Sequence, residues 1–188
     1  SDLIGNAHGG GGWFVQCNPR IMSSRWKDNQ ATGRGGGAYF GMMSSPLIGQ
    51  KSLFENNFAA ITGGGIVCFQ CSGLDVQDSS VLQNVAHYNG GGVAVYEMSD
   101  GAHALFSGVT FANCSAQNGH GGAVHIAETE PVTIQLSSFT GNAAILGGGG
   151  AVFWSIPATP LEAQARPLVH IIHCKLRTGN RALYGPFV

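Results

Sequence analysis

The residues of this chain that could do chemistry are few, and most of them stand alone. His120 lies in Gly119-His120-Gly121, and Lys175-Leu176-Arg177 sets two cations close together. A histidine and a basic pair are parts of a glycan-cleaving site, but that reaction also works through paired carboxylates. The five Asp residues, Asp2, Asp28, Asp75, Asp78 and Asp100, include no adjacent pair. No catalytic residue is assigned on this basis, and the chain is not expected to be an enzyme. Cys68-Phe69-Gln70-Cys71 has the spacing of a metal knuckle, but no second pair completes a zinc site. A disulfide or two buried apolar thiols are the competing readings. The cysteines number five, so at least one is free or pairs outside the chain. Two acidic pairs are the exception to this isolation. Glu97 and Glu128 lie 31 residues apart, and Asp100 and Glu130 lie 30 apart. A structure repeating at that interval would gather all four on one bend as candidate Ca²⁺ ligands, the cation taking six to eight oxygens. A solvated charged loop is the plainer reading. Asn113-Cys114-Ser115 fits the acceptor pattern for N-glycosylation.

Composition narrows the class of function. The chain has 188 residues, 30 of them Gly, with only 10% charged and a net charge of −1. Nucleic-acid binding needs a basic face that displaces counterions, and none is available. No apolar run approaches the length of a membrane helix. Apolar residues at 44% are too many for a disordered, charge-swollen segment. One domain is expected over 1–188. Many glycines and few charges point to backbone packed on backbone.

A repeat explains the glycines. Asn29, Asn57, Asn84 and Asn142 are each followed two residues later by Ala and six later by three glycines, as in Asn57, Ala59 and Gly63-Gly64-Gly65. Cys114 fills the same slot, with Ala116 and His120-Gly121-Gly122 behind it, and Asn180 opens a last partial copy. Three residues before each anchor stands Trp26, Phe54, Val81, Phe111 or Phe139, with Arg177 there in the last copy. The interval between Asn142 and Asn180 is longer, and 155–168 is read as a loop insertion between rungs.

Glycine triplets would ruin a helix at about 1 kcal/mol per residue. Short apolar runs after each triplet, such as Ile66-Val67-Cys68-Phe69, are strand-like. A unit of two or three such strands cannot bury its own apolar face, whereas stacked units can. The expected fold is therefore all-β: a right-handed, single-stranded parallel β-helix of the pectin-lyase-like kind, with six to seven rungs of 23–30 residues. In such a stack Asn29, Asn57, Asn84, Cys114, Asn142 and Asn180 form a ladder of side-chain amides, in which Cys114 replaces only bulk. The alanine column points inward at a tight bend, and the Phe/Trp/Val column stacks in the core. The seven histidines are read as surface or strand-edge residues.

The signatures Phe54-x-x-Asn57, Phe139-x-x-Asn142, Gly122-Ala123-Val124 and Gly149-Gly150-Ala151-Val152 resemble the repeats of chlamydial polymorphic outer-membrane proteins. They are similar also to repeats in secreted or surface β-helix proteins of algae and other protists. That resemblance implies an extracellular or cell-surface location and a non-catalytic scaffold role, in adhesion or in an external assembly. The alternative is a carbohydrate-active β-helix, or a glycan-binding module using Tyr39, Tyr96 or Trp154. The chain starts inside one anchor motif and stops before a glycine triplet. It is thus expected to be part of a longer polypeptide, or to meet other chains at two open ends. Glycans are the other expected partner class. No cofactor is expected apart from the candidate Ca²⁺, and no membrane span.

Overall fold

The computed structural model of the chain describes residues 6–99, 101–128, 131–155 and 169–184. One rung shows how the sequence makes it. Leu74–Gln77, Ser80–Leu82, Val85–Ala86 and Val93–Tyr96 are four short strands. Each contributes to a different sheet, here called C, D, A and B in that order. Sheet A has seven strands and sheets B, C and D have six each, all paired in parallel with the rungs above and below. Five full turns separate the first and last strands of each six-stranded sheet. The expected parallel β-helix is what the chain forms, with about five turns where six to seven rungs were expected and four strands per rung where two or three were expected. Among the described residues there is no helix, so none is long and apolar enough to cross a membrane.

The extra strands come from corners of only two residues. Between sheets C and D the corner is Asp78-Ser79, and between D and A it is Gln83-Asn84. A corner this tight needs one residue in the left-handed region, and Asp78 (φ 42°) and Gln83 (φ 54°) supply it. The same happens in every rung: Asp28, Asn56 and Asn113 mark the D–A corner with φ of 53–57°. At the A–B corner the left-handed residue is always Gly: Gly9, Gly35, Gly63, Gly90, Gly121 and Gly149. There a side chain has no room, since a Cβ on Gly35 would lie 2.6 Å from the Ala38 carbonyl oxygen. The next glycine in each copy is as constrained. A Cβ on Gly36, Gly64, Gly91 or Gly122 would collide with the corner backbone of the next rung and with a sheet A strand. The glycines do pack backbone on backbone.

Two copies differ from the alignment drawn from the sequence. One extra residue lies between Ala116 and Gly121, and another between Ala144 and Gly149, where sheet A bulges. The hydrogen-bonded register puts Ala38, Ile66, Val93, Val124 and Val152 in one row. The third slot of the glycine column is therefore Gly37, Gly65, Gly92, Ala123 and Ala151, and the two alanines face the core. Leu176, not Arg177, pairs with Phe139 and completes the aromatic column. A turn around Thr178-Gly179 absorbs the extra residue.

The core is built from inward residues of sheets B, C and D. Phe111 and Phe139 stack at 4.9 Å with planes 7° apart, and Trp26 and Phe54 at 5.6 Å and 9°. The alanine column, Ala31 through Ala144, is buried but lies outside that main cluster, against the glycine corner. Outside sheet B there is a second layer. Tyr39, Val67 and Ala94 point outward yet are buried, covered by Val15, Phe69 and Tyr96. Both faces of the strands after the glycines are thus packed, which accounts for their unbroken apolar runs. Phe139→Ala should lower stability by about 3–5 kcal/mol in a urea titration, because it empties a stacked core site. Leu176→Ala, in the same column but half exposed, should cost about 1 kcal/mol or less. Equal losses would mean that the column is not the core.

Candidate functional site

The densest polar arrangement is the asparagine ladder at the D–A corner. The Asn57 side-chain nitrogen donates to Asn84 Oδ1 at 2.9 Å and to the Trp26 carbonyl of the previous rung at 2.8 Å. Asn57 Oδ1 accepts from both the side chain and the backbone N–H of Asn29, at 2.9 and 3.0 Å. The unit repeats at the far end, where Asn142 donates to Asn180 Oδ1 at 3.0 Å and to the Phe111 carbonyl at 3.1 Å. Each buried amide is satisfied by its neighbours above and below, as burial in an apolar wall demands. Cys114 does more in the ladder than fill space. Its thiol donates to the Val81 carbonyl at 3.4 Å, as Asn84 does to that of Phe54, and its backbone N–H donates to Asn142 Oδ1 at 3.0 Å. Burial pushes the thiol pKa up to about 12, so it is neutral and unreactive.

A second ladder, at the C–D corner, was missed in the sequence. Ser24, Ser52, Ser79, Val109 and Ser137 each stand five residues before an anchor. Ser52 Oγ donates to the Gly49 carbonyl at 2.7 Å and accepts from the Ser24 backbone N–H at 3.3 Å. Ser137 Oγ does the same for the Gln135 carbonyl at 2.8 Å and the Val109 N–H at 3.1 Å. Cys174 ends this column, its thiol directed at the Ile134 carbonyl at 3.4 Å. Serine at a fixed offset was a readable signal, obscured because Val109 and the shifted Cys174 break it.

The candidate metal ligands are only partly described. Glu97 and Glu128 do stack, each following a residue of the Tyr96–Ala127 pair, and both are exposed. Gln70 on the rung below donates to Glu97 Oε2 at 3.1 Å. Asp100 and Glu130 lie outside the described residues, as do 156–168 of the expected loop insertion. Among the described residues no three His, Cys, Asp or Glu are grouped to hold a metal. Cys68 and Cys71 are joined by a disulfide and are fully buried. Asn113 is exposed at a D–A corner.

The histidines are not all at the surface. His125 points outward from sheet B yet is only 5% exposed, between Tyr96 and Phe153 at ring distances of 5.2 and 5.5 Å. Its Nδ1 is buried without a hydrogen-bond partner. His120 sits in the extra-residue corner, stacked on Phe153 at 4.2 Å, and its Nδ1 accepts from the Gly148 N–H at 3.0 Å. Burial lowers the pKa of His120. Burial, and then the neighbouring His120, lower that of His125 to about 4. Of the aromatic residues named for glycan binding, Tyr39 is 8% exposed. The Tyr96 hydroxyl is buried, facing Thr62 and Asn89 outside good hydrogen-bond geometry. Neither offers a flat exposed ring, and Trp154 is exposed only on the last rung of sheet B.

Cys114→Asn should restore the ladder amide and raise stability by about 1 kcal/mol, while Asn142→Ala should cost about 3 kcal/mol by stranding the buried Cys114 N–H and taking the side-chain donor from the Phe111 carbonyl, with Asn180 Oδ1 still held by the backbone N–H of residue 142. Chemical denaturation of both variants checks this, and a destabilising Cys114→Asn would mean that the thiol is the better fit. The folded pKa of His125 lies below the ordinary 6.5. The unfolded chain therefore takes up that proton first. Its contribution is fully present above about pH 6.5 and is lost as pH falls toward 4, by on the order of 3 kcal/mol. His125→Phe should remove most of that acid loss when urea titrations at pH 7 and pH 4 are compared, and an unchanged loss would place its origin elsewhere. Comparison with protein-family models, with curated proteins and with solved structures finds no match.

Proposed function

We propose that this chain is a segment of an extracellular or cell-surface β-helix scaffold that works by stacking, in adhesion or in an external assembly, and not by catalysis. The observation that carries the reading is the state of the last rung. Phe139, Ala151, Val152, Val169, Ile171 and Leu176 surround an apolar opening of about 250 Å³. Ile171 is 38% exposed, Trp154 40% and Leu176 47%. These are core columns continued to a surface, beside strand edges whose N–H and C=O groups point along the stack. An edge of this kind is a template for another strand layer.

Two further features support the reading. The inward Asn and Ser side chains of the D–A and C–D corners are used up in ladders that hold one rung to the next, which suits a structural element. The Cys68–Cys71 bridge suits an oxidising compartment outside the cytosol. The isolated chain should associate end to end at high micromolar concentration, seen as rising mass in analytical ultracentrifugation. Ile171→Glu with Leu176→Glu should weaken that association and leave the melting temperature nearly unchanged. A concentration-independent monomer whose last rung is as protected from hydrogen exchange as its centre would overturn the reading.

A further inference from the structure

We propose that Asn113 carries an N-linked glycan, placed on the D–A edge of the solenoid. The chain has eleven asparagines, and only Asn113-Cys114-Ser115 has a hydroxyl residue two positions on. That hydroxyl is a local departure. The residues in register with Ser115 are Gln30, Phe58, Val85, Ala143 and Arg181.

The fold then distinguishes Asn113 from its column mates. The left-handed position of the D–A corner holds Asp28, Asn56, Gln83, Asn113, Gly141 and Gly179. Asn56 is committed, its side-chain nitrogen donating to Asp28 Oδ1 at 2.6 Å. Asn113 is exposed, and its side-chain amide has no hydrogen-bond partner among the described residues. Its backbone is pinned separately, with its N–H donating to the Thr140 carbonyl at 2.9 Å. Above it the column is cleared of side chains: Gly141 comes next, where a Cβ would collide with Asn113 Oδ1, and then Gly179. The middle residue, Cys114, is fully buried with its thiol turned to the Val81 carbonyl. The site is thus an exposed, unengaged amide beside a bare stretch of wall.

In the modification, the Asn113 amide nitrogen attacks the anomeric carbon of an oligosaccharide carried on a lipid pyrophosphate. The new C–N bond forms as the C–O bond to pyrophosphate breaks. The lipid pyrophosphate leaves with the bonding pair, and the amide proton passes to a base of the transferase. A hydrophilic glycan here would keep neighbouring solenoids apart sideways while leaving the ends free. The inference rests on the external-scaffold reading, because the chain must pass an exporting, oligosaccharide-transferring membrane.

The test is translation of the full chain, behind a cleavable export signal, into microsomes competent for this transfer. One gel shift is expected, reversed by an amidase that releases N-glycans, absent in N113Q and S115A, and retained in S115T. The purified glycosylated chain should melt no lower than the same chain after enzymatic deglycosylation. An unshifted chain whose signal has been cleaved, a shift that survives N113Q, or unfolding caused by the glycan would overturn the proposal. A chain that associates end to end but carries no glycan would fail this inference alone. A glycosylated chain that never associates would fail the scaffold reading alone.

Discussion

Each inner rung of this protein is hydrogen-bonded through its main chain to the rungs on either side, in parallel, and the rest of the structure answers to that one constraint. Strands paired in this way lie about 4.8 Å apart. Every side chain therefore has a counterpart at that distance above and below, and a position must hold residues that tolerate stacking on their own kind. Aromatic rings can stack flat, as Phe111 and Phe139 do at 4.9 Å. Amides can, by handing a hydrogen bond along the column, as Asn29, Asn57 and Asn84 do. Isolated charges cannot, and only 10% of the chain is charged.

The corners follow from the same constraint. Turning the chain four times per rung in a few residues requires left-handed backbone again and again, and sixteen non-glycine residues with positive φ stand among the described residues. Each such residue carries a conformational cost of roughly 1 kcal/mol. The inward polar residue beside it offsets that cost by closing hydrogen bonds to the corner carbonyls, Ser at one corner and Asn at the next. The A–B corner has no such partner. It relies on glycine because two backbone walls come together there, and a single Cβ would part them.

A solenoid held in this way satisfies its corner columns internally, and the core columns it leaves uncovered are at its ends. Within the wall, amides, hydroxyls and even two thiols have been given acceptors. At the last rung the same columns meet solvent with Ile171 and Leu176 uncovered. Among the described residues the densest polar arrangements are thus the ones that join rungs, and the proposed scaffold role rests on that and on the open end. The outer layer on sheet B seals in a histidine. His125 is held there between Tyr96 and Phe153, with no carboxylate to pair with a proton.

Much of the fold was legible in the amino-acid order. The spacing of Asn, Ala and Gly identified the repeat, the parallel β-helix and the ladder, because stacking imposes identity on columns and identity is visible in a sequence. Three things were decided only in the folded chain. The number of strands per rung depends on which residues take left-handed backbone, and Asp78 or Gln83 does not announce it. The register of the last copies depends on where one extra residue is absorbed, before Gly121 and Gly149 and around Gly179, and hydrogen bonding between rungs makes that choice. The burial of Tyr39, Val67 and His125 on the outer face of sheet B depends on side chains from neighbouring rungs lying over them. The sequence alone determined what repeats along the stack, because that is a local and periodic demand. The tertiary structure decided what covers each surface, because cover comes from residues about one rung away, whose direction no local pattern specifies.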